Sequence, residues 1–346
     1  MSGTEMLALQ RDPHFYLYGF DAGDALFLRM NRECYARSIF FDDRIVTLDD
    51  QLIRVPWADV AAARPSAAAA PELGWIFHMA HTGSTLLARA LEQAGRTLVI
   101  REPVTLRALG VEAGAAGSDA AASESWQRRL DVAAAMLARR FADDDRVVVK
   151  ANVPVNAIIP ALLAVSAQPR GILLHFGLDD YLTAILRSPN HRNWVERIFA
   201  EMRIAALPEV GAAALDPAEK AAALWLFQIR AYVAALAANP ALCSLDANIL
   251  FDAPQVSLSA AARYFGCPLS DAAAGAIVAG PLFSTYSKNP NAAFDNRQRK
   301  ARIAATRAEL GAELERARRW IAPRVAALPL PDRLAQPLCG ENAVLL

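Results

Sequence analysis

The chain has 346 residues, 54% of them hydrophobic and 21% charged, with 36 basic side chains against 36 acidic ones. That length can bury one large core, or one core and a small satellite, and the composition excludes a disordered chain. Zero net charge excludes binding by a broad electrostatic field. Neither nucleic acid nor a membrane is therefore an expected partner, and any anion site must be local.

Residues 13–60 alternate in strand fashion. The segments HFYLYGF, ALFLRM and SIFFDDRIVTL predict strands, separated by turns at DAGD and NRECYA. The Ala/Pro/Ser-rich stretch 61–72 predicts a linker, so the expected division is a β-rich segment 1–70 and an α/β domain 71–346. Three roles are open for the first unit: a lid, a substrate-binding unit, or the contact of a homodimer.

After residue 72 the pattern becomes strand–helix alternation. Strands are expected at 74–79, 97–100, 146–150, 171–176 and 248–251. Helices are expected at 84–94, 118–142, 155–165 (with Pro160 as a kink), 179–187, 190–206, 217–238, 255–265 and 297–321. RVVVK, 146–150, is a continuous β-branched run, as a strand covered on both faces should be. The expected fold class is α/β, a parallel sheet flanked by helices.

The four cysteines form no paired spacing and read as small buried hydrophobes in a reducing compartment. No uncharged run reaches the roughly 18–20 residues of a membrane span, and the N-terminus carries no apolar signal core. A soluble, cytoplasmic protein is expected.

The stretch FHMAHTGSTLLARAL, 77–91, joins an apolar strand to a Leu/Ala helix through a small polar turn. In a parallel sheet that turn lies at the ligand-binding end. Gly83 permits positive φ or close backbone approach. The first amides of the helix are unpaired and carry the positive end of its dipole, so they can hold a phosphate without a lysine. Ser84 and Thr85 add hydroxyls. The alternative is a plain helix cap by Thr82 or Ser84. The lysine of nucleotide hydrolases is missing after Gly83, which argues against a kinase or hydrolase.

Four segments resemble the sulfotransferase superfamily. AHTGSTLL resembles its P-[KR]-S-G-T-T-[WL]-L loop, with Ala80 for the proline and His81 for the basic residue, while Thr82, Ser84 and Thr85 match hydroxyl positions. KANVP, 150–154, is similar to K-T-H-L-P, with Asn152 where those enzymes carry a catalytic histidine. LLHFGLDDYLTAIL is similar to the R-[DN]-P-x-D-x-x-x-S segment that grips a 3′-phosphate. There His175 replaces the arginine, Asp179 matches, and Thr183 replaces the serine. ILFDAPQVSLSAAARYFGCP is similar to Y-E-D-L-x-x-x-P…L-x-x-F-L-G, with Asp252 at the acidic position. The resemblance covers roughly residues 74–300. It implies a three-layer P-loop fold and the donor 3′-phosphoadenosine 5′-phosphosulfate, a small-molecule acceptor, and no metal.

In the tyrosylprotein branch of that superfamily a glutamate after the second strand is the base. The resemblance therefore makes Glu102 the candidate base, with Lys150 on the leaving phosphate or the transferring sulfuryl oxygens. Glu102 can instead be a surface carboxylate paired with Arg101 or Arg107, and Lys150 a strand-end lysine in solvent. His81 and His175 replace the recognition cations, so two consequences are open: donor binding that is weaker and strengthens at acid pH, or a different ligand. Ser287 and Lys288 are candidates for a basic loop closing over the 3′-phosphate, with Arg297 and Arg299 behind them. Arg187, His191, Arg192 and Trp194 are acceptor-pocket candidates. The same replacements leave open a nucleotide-binding protein without catalysis, or an interaction protein that binds nothing at this loop. His78-x-x-His81 with His175 lacks the cysteine or carboxylate of a zinc set.

Overall fold

The computed structural model describes residues 9–62, 72–116, 123–143, 145–166, 168–211, 214–286, 289–293 and 296–346. Most of the expected linker, and both Ser287 and Lys288, lie outside the described residues.

Phe15–Asp21 (β1), Asp24–Arg29 (β2) and Ile53–Pro56 (β3) form an antiparallel sheet of order β1-β2-β3. Ala22 and Gly23 turn the first hairpin at φ of 46° and 93°, the left-handed pair that suits strand twist. Two expectations fail here. The expected turn at 31–36 is largely helix, Arg32–Arg37, because Asn31 caps it by accepting from the Cys34 amide at 2.8 Å. The expected strand at 38–48 is a chain of turns. Asp42 accepts the Arg44 amide at 3.0 Å and Ser38 Oγ accepts the Val46 amide at 2.9 Å, so side chains take amides that a sheet ladder would need.

The main sheet consists of Gly74–His78 (β4), Thr97–Arg101 (β5), Arg146–Lys150 (β6), Arg170–His175 (β7) and Cys243–Asp246 (β8). All neighbours are parallel, in the order β5-β6-β4-β7-β8. The expected strand at 248–251 is helix. The strand is the more polar CSLD just before it, and Asp246 ends it by accepting the Asn248 amide at 2.7 Å. A four-residue apolar run fits either period, and the cap decides.

Helices pack around the sheet: Ser84–Glu92 (α1), Val104–Ala116 (α2), Glu124–Leu137 (α3), Leu178–Leu186 (α4), Pro189–Glu201 (α5), Pro217–Ala238 (α6) and Ala247–Asp252 (α7); Asn296–Glu309 (α8) lies outside them against α4. Asp216 and Glu219 close a capping box at the start of α6. This helix is long and apolar enough to cross a membrane by length and composition, and twelve of its residues are buried inside the protein. The expected kink at Pro160 is instead a junction, where the 3-10 turn Val153–Ile158 passes into the helix Ile159–Ala164. One apolar core runs through the whole, from Leu9, Tyr16 and Phe41 to Trp75, Leu173 and Trp225. The expected α/β class, with a parallel sheet flanked by helices and a small β-rich N-terminal part, is the one observed.

Both edges of the main sheet are covered. At β8, Ser244 exchanges backbone bonds with Gln336 and Leu338. At β5, Phe41 donates to the Arg101 carbonyl at 2.8 Å and accepts from the Val104 amide at 3.0 Å, bracketing Glu102. Arg101 holds this arrangement. It is buried, and it donates to the carbonyls of Tyr35 (2.7 Å) and Ser38 (2.6 Å) and to Glu92 Oε2 (2.8 Å). Arg101→Met should strip these partners of their donor and lower unfolding free energy by about 3 kcal/mol in urea melts. An unchanged melt would show that the clamp contributes nothing.

Candidate functional site

The chain runs outward from β4 to β5, back to β6, and then to β7 on the far side of β4. That reversal opens a crevice at the C-terminal ends of the strands. A cleft of about 1200 Å³ occupies it. The N-terminal part supplies one wall through Tyr18, Phe40 and Arg44, and α8 supplies another through Arg299, Arg302 and Thr306.

The Gly83 turn faces this cleft. Gly83 is the N-cap of α1 at φ 80°, and no side chain caps the helix. Thr82 does not cap it, since its hydroxyl is buried and donates back to the Met79 carbonyl at 2.8 Å, tightening the turn. Ser84 and Thr85 line the cleft, and Thr85 Oγ1 is buried without a hydrogen-bond partner. The plain-cap alternative is thereby removed, and the first amides of α1 keep the dipole end that attracts an anion. A side chain at Gly83 is blocked twice over. Its φ disfavours one, and a Cβ there would meet Phe251 Cζ at 2.8 Å and Leu250 Cδ2 at 3.1 Å.

Phe251 connects the loop to a cation. The Arg299 guanidinium stacks on its ring at 3.9 Å, and Arg299 Nε donates to Asn296 Oδ1 at 3.0 Å. Asn296 in turn donates to the Phe251 carbonyl and to Asp252 Oδ1, both at 3.0 Å, and Lys300 pairs with Asp252 at 2.8 Å. These bonds pin the start of α8 to α7. Arg299 Nη2 remains buried with no hydrogen-bond partner, and burial pulls the guanidinium below its ordinary pKa. A half-buried arginine with an unused donor, beside an uncapped helix start, is built to receive an anion.

Glu102 lines the cleft floor and meets Lys150 behind it. The Lys150 ammonium, fully buried, bonds to Glu102 Oε1. In β5 and β6, Arg101 and Lys150 are register partners, so the next residue, Glu102, stands beside the strand end. Its amide donates to the Lys150 carbonyl at 2.7 Å, and Asn152 Nδ2 donates to its carbonyl at 3.2 Å. Glu102 has φ 58°, an uncommon conformation for a side-chain-bearing residue, and these bonds with the Phe41 bracket hold it there. Neither surface alternative for the pair applies. Asn152 stands at the catalytic histidine position of the resemblance as a backbone support, and its Oδ1 is buried without a partner. Phe40 lies between the cations, with Arg44 at 4.2 Å and Lys150 at 5.6 Å from its ring centre.

His81, at φ 67°, lines the cleft edge-on to His191, with ring centres 4.2 Å apart. His191 Nδ1 lies 2.5 Å from Ser188 Oγ, and Arg187 and Trp194 line the same wall. Arg192 is not there, because it pairs with Glu313 at 2.6 Å. Thr183 lines the cleft, its hydroxyl donating to the Asp179 carbonyl at 2.7 Å. Asp179 itself pairs with Arg318. The carboxylate at the cleft is its neighbour Asp180, bonded to Asn248 at 2.7 Å and to Arg307.

His175 lies elsewhere. It is buried at the end of β7, in register with Asp246, and does not line the cleft. Burial holds its pKa below the ordinary value against the pull of Asp246. Among the described residues, no group of three His, Cys, Asp or Glu side chains is placed to hold a metal ion. Sequence reasoning missed Tyr18, Phe40 and Arg44, for which no motif gave a signal. It also gave Arg302 no role.

No family model matches the chain, and no curated protein matches it significantly. Two solved structures are similar to it. One is a sulfotransferase domain from the curacin biosynthetic pathway, 14% identical with TM-score 0.42, covering 74% of this chain and 99% of that one. The other is a sulfotransferase domain from the Synechococcus PCC 7002 olefin synthase, 14% identical with TM-score 0.37, covering 78% and 93%.

A neutral, buried His175 fixes the sign of one pH effect. Below about pH 6.5 the unfolded chain takes up a proton on this residue that the folded chain refuses, so stability falls as pH falls. His175→Asn should flatten the loss of thermal midpoint between about pH 7 and pH 5 and leave nucleotide affinity within about twofold. A large loss of affinity would place the imidazole in the ligand site after all.

Proposed function

We propose that this protein transfers a sulfuryl group from 3′-phosphoadenosine 5′-phosphosulfate to a hydroxyl or amine of a small-molecule acceptor. One observation carries the reading: an uncapped helix start and a buried arginine donor share a cleft with Glu102, which is paired to the buried Lys150 behind it. The first two are suited to a phosphate, and the pair is suited to moving a proton beside a departing anion. The four sequence segments that resemble sulfotransferases meet around this cleft.

The chemistry divides among the chain's own groups. The amides at the start of α1 and Arg299 take the donor's phosphate charge. Lys150 moves its ammonium from Glu102 towards the phosphate that departs, where negative charge develops. Glu102, released, accepts the proton of the acceptor. The acceptor oxygen or nitrogen forms a new bond to sulfur. The bond from sulfur to the donor phosphate breaks, and its electron pair leaves with adenosine 3′,5′-bisphosphate. The mutual neutralisation of Lys150 and Glu102 before binding also favours a second reading, a nucleotide-binding protein that never separates the pair.

Calorimetric titration with adenosine 3′,5′-bisphosphate, against magnesium ATP, tests the donor. Gly83→Ala and Arg299→Met should each weaken bisphosphate binding by about tenfold or more, the first by clash and strain, the second by loss of charge. Equal binding in wild type and both variants would remove the donor assignment. Glu102→Gln should bind the nucleotide normally and lose about 10²–10⁴ of turnover with an acceptor panel. Full turnover in that variant would end its role as base, and tight binding with no turnover in wild type on any acceptor would favour the second reading.

A further inference from the structure

His78 is the last residue of β4, buried, and lines the cleft floor. Its Nδ1 lies 2.8 Å from the Met79 carbonyl oxygen. A carbonyl only accepts, so Nδ1 carries the hydrogen, and the neutral ring has its lone pair at Nε2. Nε2 lies 3.8 Å from Glu102 Oε1, the same oxygen that takes the Lys150 ammonium. The ring is also fixed from behind. Asn156 Nδ2 donates to the His78 carbonyl at 3.1 Å and to Gln228 Oε1 at 3.1 Å. Set against the imidazole are the carboxylate of Glu102 at the end of β5 and, through it, the ammonium of Lys150 at the end of β6. On the α6 side stand the uncharged Gln228 and the phenol of Tyr232, which burial keeps protonated.

We propose that His78 holds the proton during turnover: Glu102 takes it from the acceptor and, once the Lys150 ammonium has left Oε1 and the carboxyl has closed the 3.8 Å gap to the ring, passes it to Nε2 of His78. The proposal rests on the group-transfer reading above. A carboxylic acid is a poor place to keep the proton, with a reference pKa of about 4.3 against about 6.5 for imidazole. In the step, the acceptor's proton moves to Glu102 as the acceptor bonds to sulfur and the bond to the donor phosphate breaks. The proton then moves to Nε2, leaving a carboxylate beside an imidazolium, both in favourable contact. The imidazolium returns its proton to solvent once the product has left.

Two variants and one spectrum test this. His78→Asn keeps a donor for the Met79 carbonyl and removes Nε2, and His78→Gln sets an amide towards Glu102. Both should lower kcat by about 10²-fold, shift the acidic limb of the kcat–pH profile to lower pH, and bind adenosine 3′,5′-bisphosphate within about twofold of wild type. Turnover within about twofold of wild type, or a lower turnover with the pH profile unchanged, would overturn the proposal. Nitrogen NMR of the histidine side chain supplies the readout that needs no substrate. Nδ1 should stay protonated throughout while Nε2 titrates, and Glu102→Gln should lower the Nε2 midpoint by removing the carboxylate that favours the imidazolium. A ring protonated on Nε2 when neutral, or a midpoint indifferent to Glu102→Gln, would overturn it. If the bisphosphate fails to bind, the group-transfer reading falls, and this spectrum still decides whether Glu102 and His78 share a proton.

Discussion

The ion pair between Glu102 and Lys150 is the constraint around which the rest of the cleft is arranged. A fully buried ammonium is tolerable only with its counter-charge at hand, so the carboxylate must reach it. That requirement places Glu102 immediately past β5 and bends its backbone to positive φ. Three separate elements hold the bend: the Lys150 carbonyl in β6, the Asn152 amide group beyond β6, and the Phe41 bracket from the N-terminal part. The β-rich segment is thus more than an attachment, since it closes the edge of the sheet and supplies one wall of the cleft.

The arrangement separates charge in a way that suits transfer of an anionic group. At one end stand the uncapped start of α1 and the Arg299 guanidinium stacked on Phe251. At the floor stand Glu102 and His78, with the Lys150 ammonium buried behind Glu102 on the same carboxylate oxygen. In the proposed reaction a donor phosphate would give Lys150 a second partner, and the carboxylate that loses the lysine would gain basicity, which would couple binding to activation through one lysine.

Much of the main sheet was legible because buried parallel strands read as continuous apolar runs, as in RVVVK and GILLHF. The errors fell where side chains compete with the backbone. Asn31 turned an expected turn into a helix, Asp42 and Ser38 turned an expected strand into bends, and Asp246 made a helix from NILF. Each is a short polar residue whose effect depends on which amide it reaches, and spacing alone does not say which.

In the site, Gly83, Ser84, Thr85, Glu102, Lys150 and Thr183 were legible from motif order, and the structure brings them to one cleft apart from the buried lysine behind Glu102. His175 was not, because register with a resemblance does not report which face of a strand a residue takes. Tyr18 and Phe40 were invisible, since their place in the cleft follows from tertiary bonds, Thr105 to the Tyr18 carbonyl and the bracket at Phe41, rather than from local pattern. The amide resonances of Ser84, Thr85 and Leu86, followed as adenosine 3′,5′-bisphosphate is added, test the phosphate cradle most directly. Bound phosphate should shift all three downfield together with one dissociation constant. Saturable binding that leaves these three amides in place would contradict the Gly83 turn as the anion site.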